Sequence, residues 1–425
     1  MMRSLFSGVS GLKNHQTRMD VIGNNIANVN TVGFKASRVT FSDVLSQTIQ
    51  GASSSDGQRA GTNPMQVGLG VGLASIDTIF TDGSFQSTGK NSDLAIKGNG
   101  FFVLSADGGT TKTYTRAGSF DFDAQGNYYV PGTGYKVMGW NVDTTTWKLD
   151  DTGTTKPVQV PVGLTIPGAV TKNMEFTKNL SADATIGATS DVPVSVDVYD
   201  TLGNSYKLSG QFEKTGANTW TFTPSANIMN SAGTTTLATV GTTPVTLTFN
   251  ATTGKLTAPA SGAASITVTP AASAGTAPFT IKADFSQLVQ FGGDSSVQIT
   301  DQDGYKAGTL EDVTLDATGV IVGSFSNGKT KNLAKVCMAI FDNPSGLTKV
   351  GDNMYTPSNN SGLPQEGKAG SGGRGVFSPG TLEMSNVDLA QQFSDMIVTQ
   401  RGFQANSKII SVSDEMLQDL ANLKR

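Results

Sequence analysis

Apolar residues recur every seven positions at both ends of the chain, and nothing between the ends repeats that pattern. Leu5, Leu12, Met19 and Ile26 are spaced this way at the N-terminus, and Leu389, Met396, Phe403, Ile410 and Leu417 at the C-terminus. A sustained apolar heptad gives a helix a narrow sticky stripe that cannot bury itself alone. The spacing predicts one amphipathic helix over 4–29. It predicts a second that opens at Ser385 as N-cap, with Asp388 three residues on, and runs to about Leu423. Three residues beyond each heptad position lies a stripe of different character. It reads Gly8, His15, Ile22 and Val29 in the first helix, and Gln392, Thr399, Asn406 and Ser413 in the second. A dry two-helix core would prefer apolar residues there, whereas a crowded bundle contributed by many copies tolerates small and amidic ones. The nine heptad residues are therefore the candidate self-assembly seam, closed by the other end of the chain or by neighbouring copies.

Between the helices the period changes from helical to β. The block 23–34 holds four asparagines and two glycines, which weaken helix and favour side-chain-to-backbone bonds. Residues 31–75 read as irregular, with Gln50 to Gly61 a Ser/Gly-rich loop or hairpin tip. From there to Trp140 the pattern is of hairpins: Leu94–Ile96 and Phe101–Leu104 flank Gly98-Asn99-Gly100, and Phe122 and Tyr128 flank Gln125-Gly126-Asn127. A composition shift after residue 147 introduces a Thr-, Ala-, Ser- and Val-rich stretch. There Val192, Val194, Val196 and Val198 alternate with polar residues, as do Val245, Leu247 and Phe249. This reads as a second all-β domain, a sandwich or barrel. After about residue 290 the first β pattern resumes with Val320–Val322, Val336–Phe341 and Met354-Tyr355.

The fold class that follows is mainly β with α-helical termini: terminal helices forming a coiled coil, plus two nested all-β domains, the second inserted in the first. The expected segments are terminal helices at 1–30 and 380–425, and irregular linkers at 31–75 and 357–379. An inner β domain spans 76–146 and 286–356, and an inserted domain 147–285.

Composition narrows the function. The net charge is −4 and charged residues make up 15% of the chain, below the roughly 25% of an average globular protein. That is too mild a charge to steer the chain toward nucleic acid or anionic lipid. No stretch reaches the ~18 apolar residues of a membrane span, and the first residues lack the apolar run of a secretory signal. One Cys excludes an intrachain disulfide framework, and one His removes most routes to metal binding and His-based catalysis. His15 reads as a packed or surface-tipped residue, and Cys337 as a small buried hydrophobe. The tract Gly362–Ala369 has the glycine and lysine spacing of a phosphate loop, but Ala369 stands where the magnesium-binding hydroxyl belongs and no helix follows. Asp121, Asp123, Asp301 and Asp303 complete no calcium loop and read as turn carboxylates. No catalytic, cofactor or metal set survives, so the expectation is a structural protein, with no enzyme activity and no cofactor.

The terminal segments also resemble a known family. Asp20-Val21-Ile22-Gly23-Asn24-Asn25-Ile26-Ala27-Asn28 with Gly33-Phe34-Lys35, and Gln400-Arg401-Gly402-Phe403-Gln404-Ala405-Asn406-Ser407-Lys408, are similar to the signatures of bacterial flagellar rod and hook axial proteins. Phe80-Thr81-Asp82-Gly83, Asp93–Ile96 and Gly100-Phe101-Phe102 match that family too. Asp303-Gly304-Tyr305 through Gly308, and Phe325-Ser326-Asn327-Gly328, resemble its hook members. The resemblance covers roughly 1–140 and 290–425, and chain length with the 147–285 insertion separates hook from the shorter rod proteins. It implies a subunit exported through the flagellar type III apparatus without a cleaved signal. Such subunits polymerise beneath a hook cap into a curved extracellular tube joining the distal rod to the hook–filament junction. The terminal helices would line the tube and the β domains form its outer layers. The lysine–cysteine cross-link of some members is not implied, because Cys337 lies in a strand run. The alternatives are a distal-rod subunit and, from the Thr/Ser-rich domain alone, a cell-surface β adhesin. Neither a slim rod nor an adhesin accounts for both the insertion and the heptad ends.

Overall fold

The computed structural model describes residues 2–54, 60–229 and 235–422. Helix α1 spans Met2–Ala27 and α2 spans Leu389–Asn422. The described residues between them form strands, turns and two short 3-10 turns. The cap of α2 lies three residues beyond Ser385, at Asp388. Its Oδ1 accepts from Ala390 N–H at 2.9 Å and Gln391 N–H at 3.2 Å, the bonds an N-cap makes to the first orphan donors of a helix. Ser385 instead accepts from Val387 N–H at 3.3 Å, in the turn before the helix. The expected end at Leu423 lies outside the described residues.

At the other end, the asparagine-rich block does not break α1 at Gly23. The helix runs through Asn25, whose buried amide joins the backbone of Ser37, donating to its carbonyl at 2.8 Å and accepting from its N–H at 3.0 Å. The side-chain-to-backbone bond is the expected kind, but it docks a strand and leaves the helix intact.

Residues 31–75 are not irregular. They hold β1 (Ser37–Asp43), β2 (Ser46–Gln50), β3 (Met65–Gly68) and the start of β4 (Val71–Thr78). β1 pairs with β4 and β2 with β3, all antiparallel. Together they make one long two-stranded ribbon carried further by a Ser53–Thr62 bridge. Residues 55–59, within the loop expected at 50–61, lie outside the described residues. Serine, threonine and glutamine mask the strand period here, because neither face of the ribbon is buried and hydrophobic alternation has nothing to mark. The expected linker 357–379 likewise contains strands Gln365–Gly367 and Val376–Pro379.

The chain forms two compact units. One comprises residues up to Val162, Val313–Val322 and residues from Lys331 onward; the other comprises Gly163–Asp312 and Gly323–Thr330. In the first, Phe101–Ser105 pairs with Thr113–Thr115, Lys136–Asp143 and Met338–Ile340. Phe101, Tyr114, Phe341 and Tyr355 pack edge-to-face in its core. The hairpin expected across Gly98-Asn99-Gly100 does not form: Leu94–Lys97 pairs with Val376–Pro379 instead. Turn residues mark a change of direction, but they do not say whether the next strand returns beside the last.

The second unit packs a six-stranded and a five-stranded sheet around one core. Phe176, Phe212, Phe222, Phe285 and Trp220 fill it, with Phe176 and Phe285 stacked at 4.7 Å. The alternation read at Val192–Val198 and Val245–Phe249 falls in strands Gly187–Tyr199 and Val245–Phe249. The unit's limits differ from the composition shift. Lys148–Leu149 and Lys156–Pro157 pair with Lys136–Asp143 of the first unit. At the far end, Gln298–Gln302 closes onto Asn173–Ser181 within the second. Pairing follows the ladder of backbone bonds, which composition does not register.

Candidate assembly interface

α1 and α2 lie side by side and antiparallel. Gly8 meets Asn406 and Ile410, His15 meets Gly402, Arg18 meets Asp395 at 3.2 Å, and Asn25 donates to Gln392 at 3.0 Å. The positions that meet, Gly8, Gly11, His15, Arg18 and Asn25, step by three, four, three and seven, which is the spacing of a coiled-coil seam. Their identity is unusual for one, because they are glycines, amides and an ion pair. A Cβ on Gly11 would lie 2.8 Å from the Asn406 amide, and one on Gly402 2.6 Å from the His15 ring. The small residues thus let the backbones approach closely, and the amides supply hydrogen bonds where apolar packing is missing. Thr399 and Ser413 are buried on the same side of α2.

Small and polar positions of both helices therefore close the pair, joined by Ile410 of the heptad stripe, while the other heptad residues lie beside them. Leu5, Leu12, Met19, Ile26, Met396, Phe403, Ile410 and Leu417 flank the seam half-buried, and Leu389 is 39% exposed. Larger apolar side chains project further. Met2, Phe6 and Val9 form one exposed face of α1, and Phe393, Ile397, Val398, Ile409, Val412 and Met416 are exposed on α2. A helix apolar on more than one side packs on more than one side. The ribbon continues this surface with Val44, Leu45, Ile49, Met65, Val67 and Leu69, all exposed. It is tied to α1 through Asn14, which donates to the Val71 carbonyl at 2.7 Å, and through Phe41, edge-on to His15 at 6.2 Å.

Where the helices join the first unit lies a cluster that charge patterning did not reveal. The Lys35 ammonium and the Glu383 carboxylate are fully buried and 2.5 Å apart. Lys35 also donates to the Thr81 carbonyl at 2.7 Å. Glu383 accepts from Gly83 N–H at 3.1 Å and from Arg116 at 3.4 Å, and Arg116 also reaches Asp82 and the Gly98 carbonyl. Burial pushes the Lys35 pKa down against the opposing pull of Glu383. Beside the cluster, Asn386 accepts from Ala36 N–H at 2.8 Å and donates to the Ile79 carbonyl at 2.9 Å. The residues after α1 and before α2 are thus clamped to the same spot. The available sequence signal was Lys35 within Gly33-Phe34-Lys35, whose partner lies 348 positions away.

Cys337 is fully buried, and that burial pushes its thiol up to about 12. Asp123 accepts from the backbone N–H groups of Gln125 and Asn127, as a turn carboxylate does, whereas Asp303 accepts from those of Lys172 and Asn173, 131 and 130 positions away, and so ties two distant segments together. Gly362–Ala369 contains the strand Gln365–Gly367, and no helix follows it directly. Among the described residues no His, Cys, Asp and Glu group could hold a metal ion, and no helix is long and apolar enough to cross a membrane.

Comparison with known proteins gives four matched stretches. Residues 5–35 match the family described as flagella basal body rod protein, and 95–181 the flagellar hook protein FlgE/F/G D1 domain. Residues 167–305, which carry no recognised motif before Asp303, match the flagellar basal body protein FlaE D2 domain, and 378–423 the flagellar basal body rod FlgEFG protein C-terminal. The chain is 42% identical over 452 residues to the flagellar hook protein FlgE of Borreliella burgdorferi and 39% over 465 to that of Treponema pallidum, each alignment covering 100% of both chains. It is also 33% identical over 426 residues to the flagellar basal-body rod protein FlgG of Bacillus subtilis, again with 100% of both covered. Length alone therefore does not separate hook from rod. The crystal structure of the Helicobacter pylori flagellar hook protein FlgE2 aligns with a TM-score of 0.53 at 16% identity, covering 70% of this chain and 100% of that one. At that identity the likeness speaks for the fold.

Proposed function

This chain belongs to the flagellar hook protein family, and from that premise we infer that its paired terminal helices are the building blocks of a curved tube. It is a structural subunit of the flagellar hook. The observation that supports a tube is the division of labour on the helices. Glycine and amide residues close the pair within one chain, which leaves the large apolar residues of both helices and of the ribbon for other copies. Head-to-tail contacts that do not close on themselves produce a helical polymer. Burying those side chains between copies contributes about 25 cal/mol per Å² of apolar surface, repeated at every subunit.

The rest of the reading follows from family membership. The subunit carries no catalytic role, leaves the cell through the flagellar export apparatus without a cleaved signal, and works outside it. Its partners are the hook cap, the distal rod and the hook–filament junction protein. The nine heptad residues take part in contacts between copies, and an inserted domain near 147–285 forms part of the outer tube. Electron microscopy of polymerised protein is expected to show a curved tube. A straight rod would favour the distal-rod alternative, which the Bacillus relative keeps in play.

The free subunit should betray its unmet surface. Hydrogen exchange on monomer is expected to be fast over most of α1 and α2 and slow at Lys35 and Glu383, where the clamp begins. The exposed apolar faces of the helices have no partner until assembly supplies one. Strong protection along both helices in monomer would count against this.

A further inference from the structure

We infer that His15 is a pH-sensitive latch on the helix pair, seating Gly402 when neutral and parting α1 from α2 when protonated. It is the chain's one histidine, and it occupies a seam position midway along α1. Gly402 lies against its ring so closely that a Cβ there would come within 2.6 Å of Cε1 and Nε2. Phe41 of β1 closes the other side edge-on, at 6.2 Å and 65°. Nδ1 is shut off from solvent and has no hydrogen-bond partner among the described residues.

Among the described residues, the charged groups on the surrounding elements do not supply a counter-ion. Arg18, one turn along α1, is itself positive. Asp395 on α2 is the partner of Arg18 at 3.2 Å. Arg401, next to Gly402, is positive and bonded to Gln404. On the ribbon, Asp77 of β4 pairs with Arg38 of β1 at 3.7 Å, and Asp43 of β1 is solvent-exposed. An imidazolium at this point would therefore be desolvated and face Arg18, and its pKa is pushed below the ordinary 6.5 by burial first and by Arg18 second.

The sign follows from linkage. A packed-state pKa below the unpacked one means that packing favours the neutral ring. The seam is at full strength above about pH 6.5, weakens as pH falls below it, and loses nothing further from His15 once pH has dropped through the packed-state value. In that window one proton shifts the opening equilibrium by up to about tenfold per pH unit. The turn carboxylate Asp123 is held below the ordinary carboxylate range mainly by the hydrogen bond from Asn127, and so lies outside that window.

The test uses purified hooks, since the inference rests on the hook reading for its assembled state. Dissociation in a fixed urea concentration is followed by light scattering from pH 8 to 4 for wild type, His15→Phe and His15→Gln. Wild-type hooks are expected to dissociate several-fold more readily at pH 4.5 than at pH 7, and His15→Phe hooks to lose that step. In parallel, the single labelled imidazole in wild-type hooks should titrate below 6.5 by solid-state NMR. Variant hooks that keep the wild-type pH profile, or a ring that titrates at or above 6.5, overturn the latch. If neither variant assembles, the ring titration alone decides. A chain that builds no hooks at all counts against the hook reading instead, so the two failures are distinct.

Discussion

Replacing Glu383 by alanine is expected to destabilise the region around it by about 3–5 kcal/mol, the usual cost of breaking a buried ion pair from one side. Lys35 would keep the Thr81 carbonyl at 2.7 Å and no other hydrogen-bond partner among the described residues. With both side chains fully buried, water cannot replace the lost carboxylate unless the site opens. Arg116 would lose one of its two carboxylate partners and keep Asp82 at 3.4 Å. Gly83 N–H would lose its acceptor as well. The measurement is native-state hydrogen exchange at residues 32–36 and 381–385 across a urea series. Lys35→Met combined with Glu383→Leu should recover most of the loss, because an apolar pair of similar volume leaves no unpaired charge. A Glu383→Ala chain within about 1 kcal/mol of wild type, the range of an ordinary substitution, would show that the cluster does not clamp the ends of the helices.

That cluster also shows where reading the sequence stops. The heptads located both helices, because a stripe of Leu, Met, Phe and Ile can be seen without knowing what it touches. They did not single out the small and polar positions at which the two helices meet within the chain. Within one chain the closest approach of two helices is set by the smallest residues, so Gly8, Gly11 and Gly402 took it and the apolar stripe was left beside it. Val192–Val198 and Val245–Phe249 were legible for the same reason as the helices: one face of each strand is buried. The ribbon from Ser37 to Thr78 was not, because exposed strands carry no alternation. Lys35, Glu383 and Arg116 are single charges far apart in sequence, and no local pattern distinguishes them from solvated ones. Asn25 read as a helix breaker because its partner, the backbone of Ser37, comes into reach only after the chain has turned.

An aspartate at Ile397 is expected to abolish hook formation while leaving the free chain folded. Ile397 is 59% exposed on α2, so in the free subunit the new carboxylate stays hydrated and stability should shift by no more than about 0.5 kcal/mol. Where neighbouring copies cover that face, each subunit would bury an unpaired charge, at a cost of several kcal/mol. Because the contact repeats along the tube, the penalty recurs at every added subunit and growth should stop near its start. Ile410→Asp is the informative comparison. Ile410 packs against Gly8, 3.4 Å from where a Cβ would stand, so its replacement should weaken the α1–α2 pair within the chain as well as contacts between chains. Electron microscopy of both strains, with urea unfolding of both purified chains, separates the two roles. Ile397→Asp should fail only in the microscope. Hooks of normal length and number from that variant would mean that the exposed side of α2 is not where copies meet, and the assembly surface would have to be sought on the ribbon or the half-buried heptad residues.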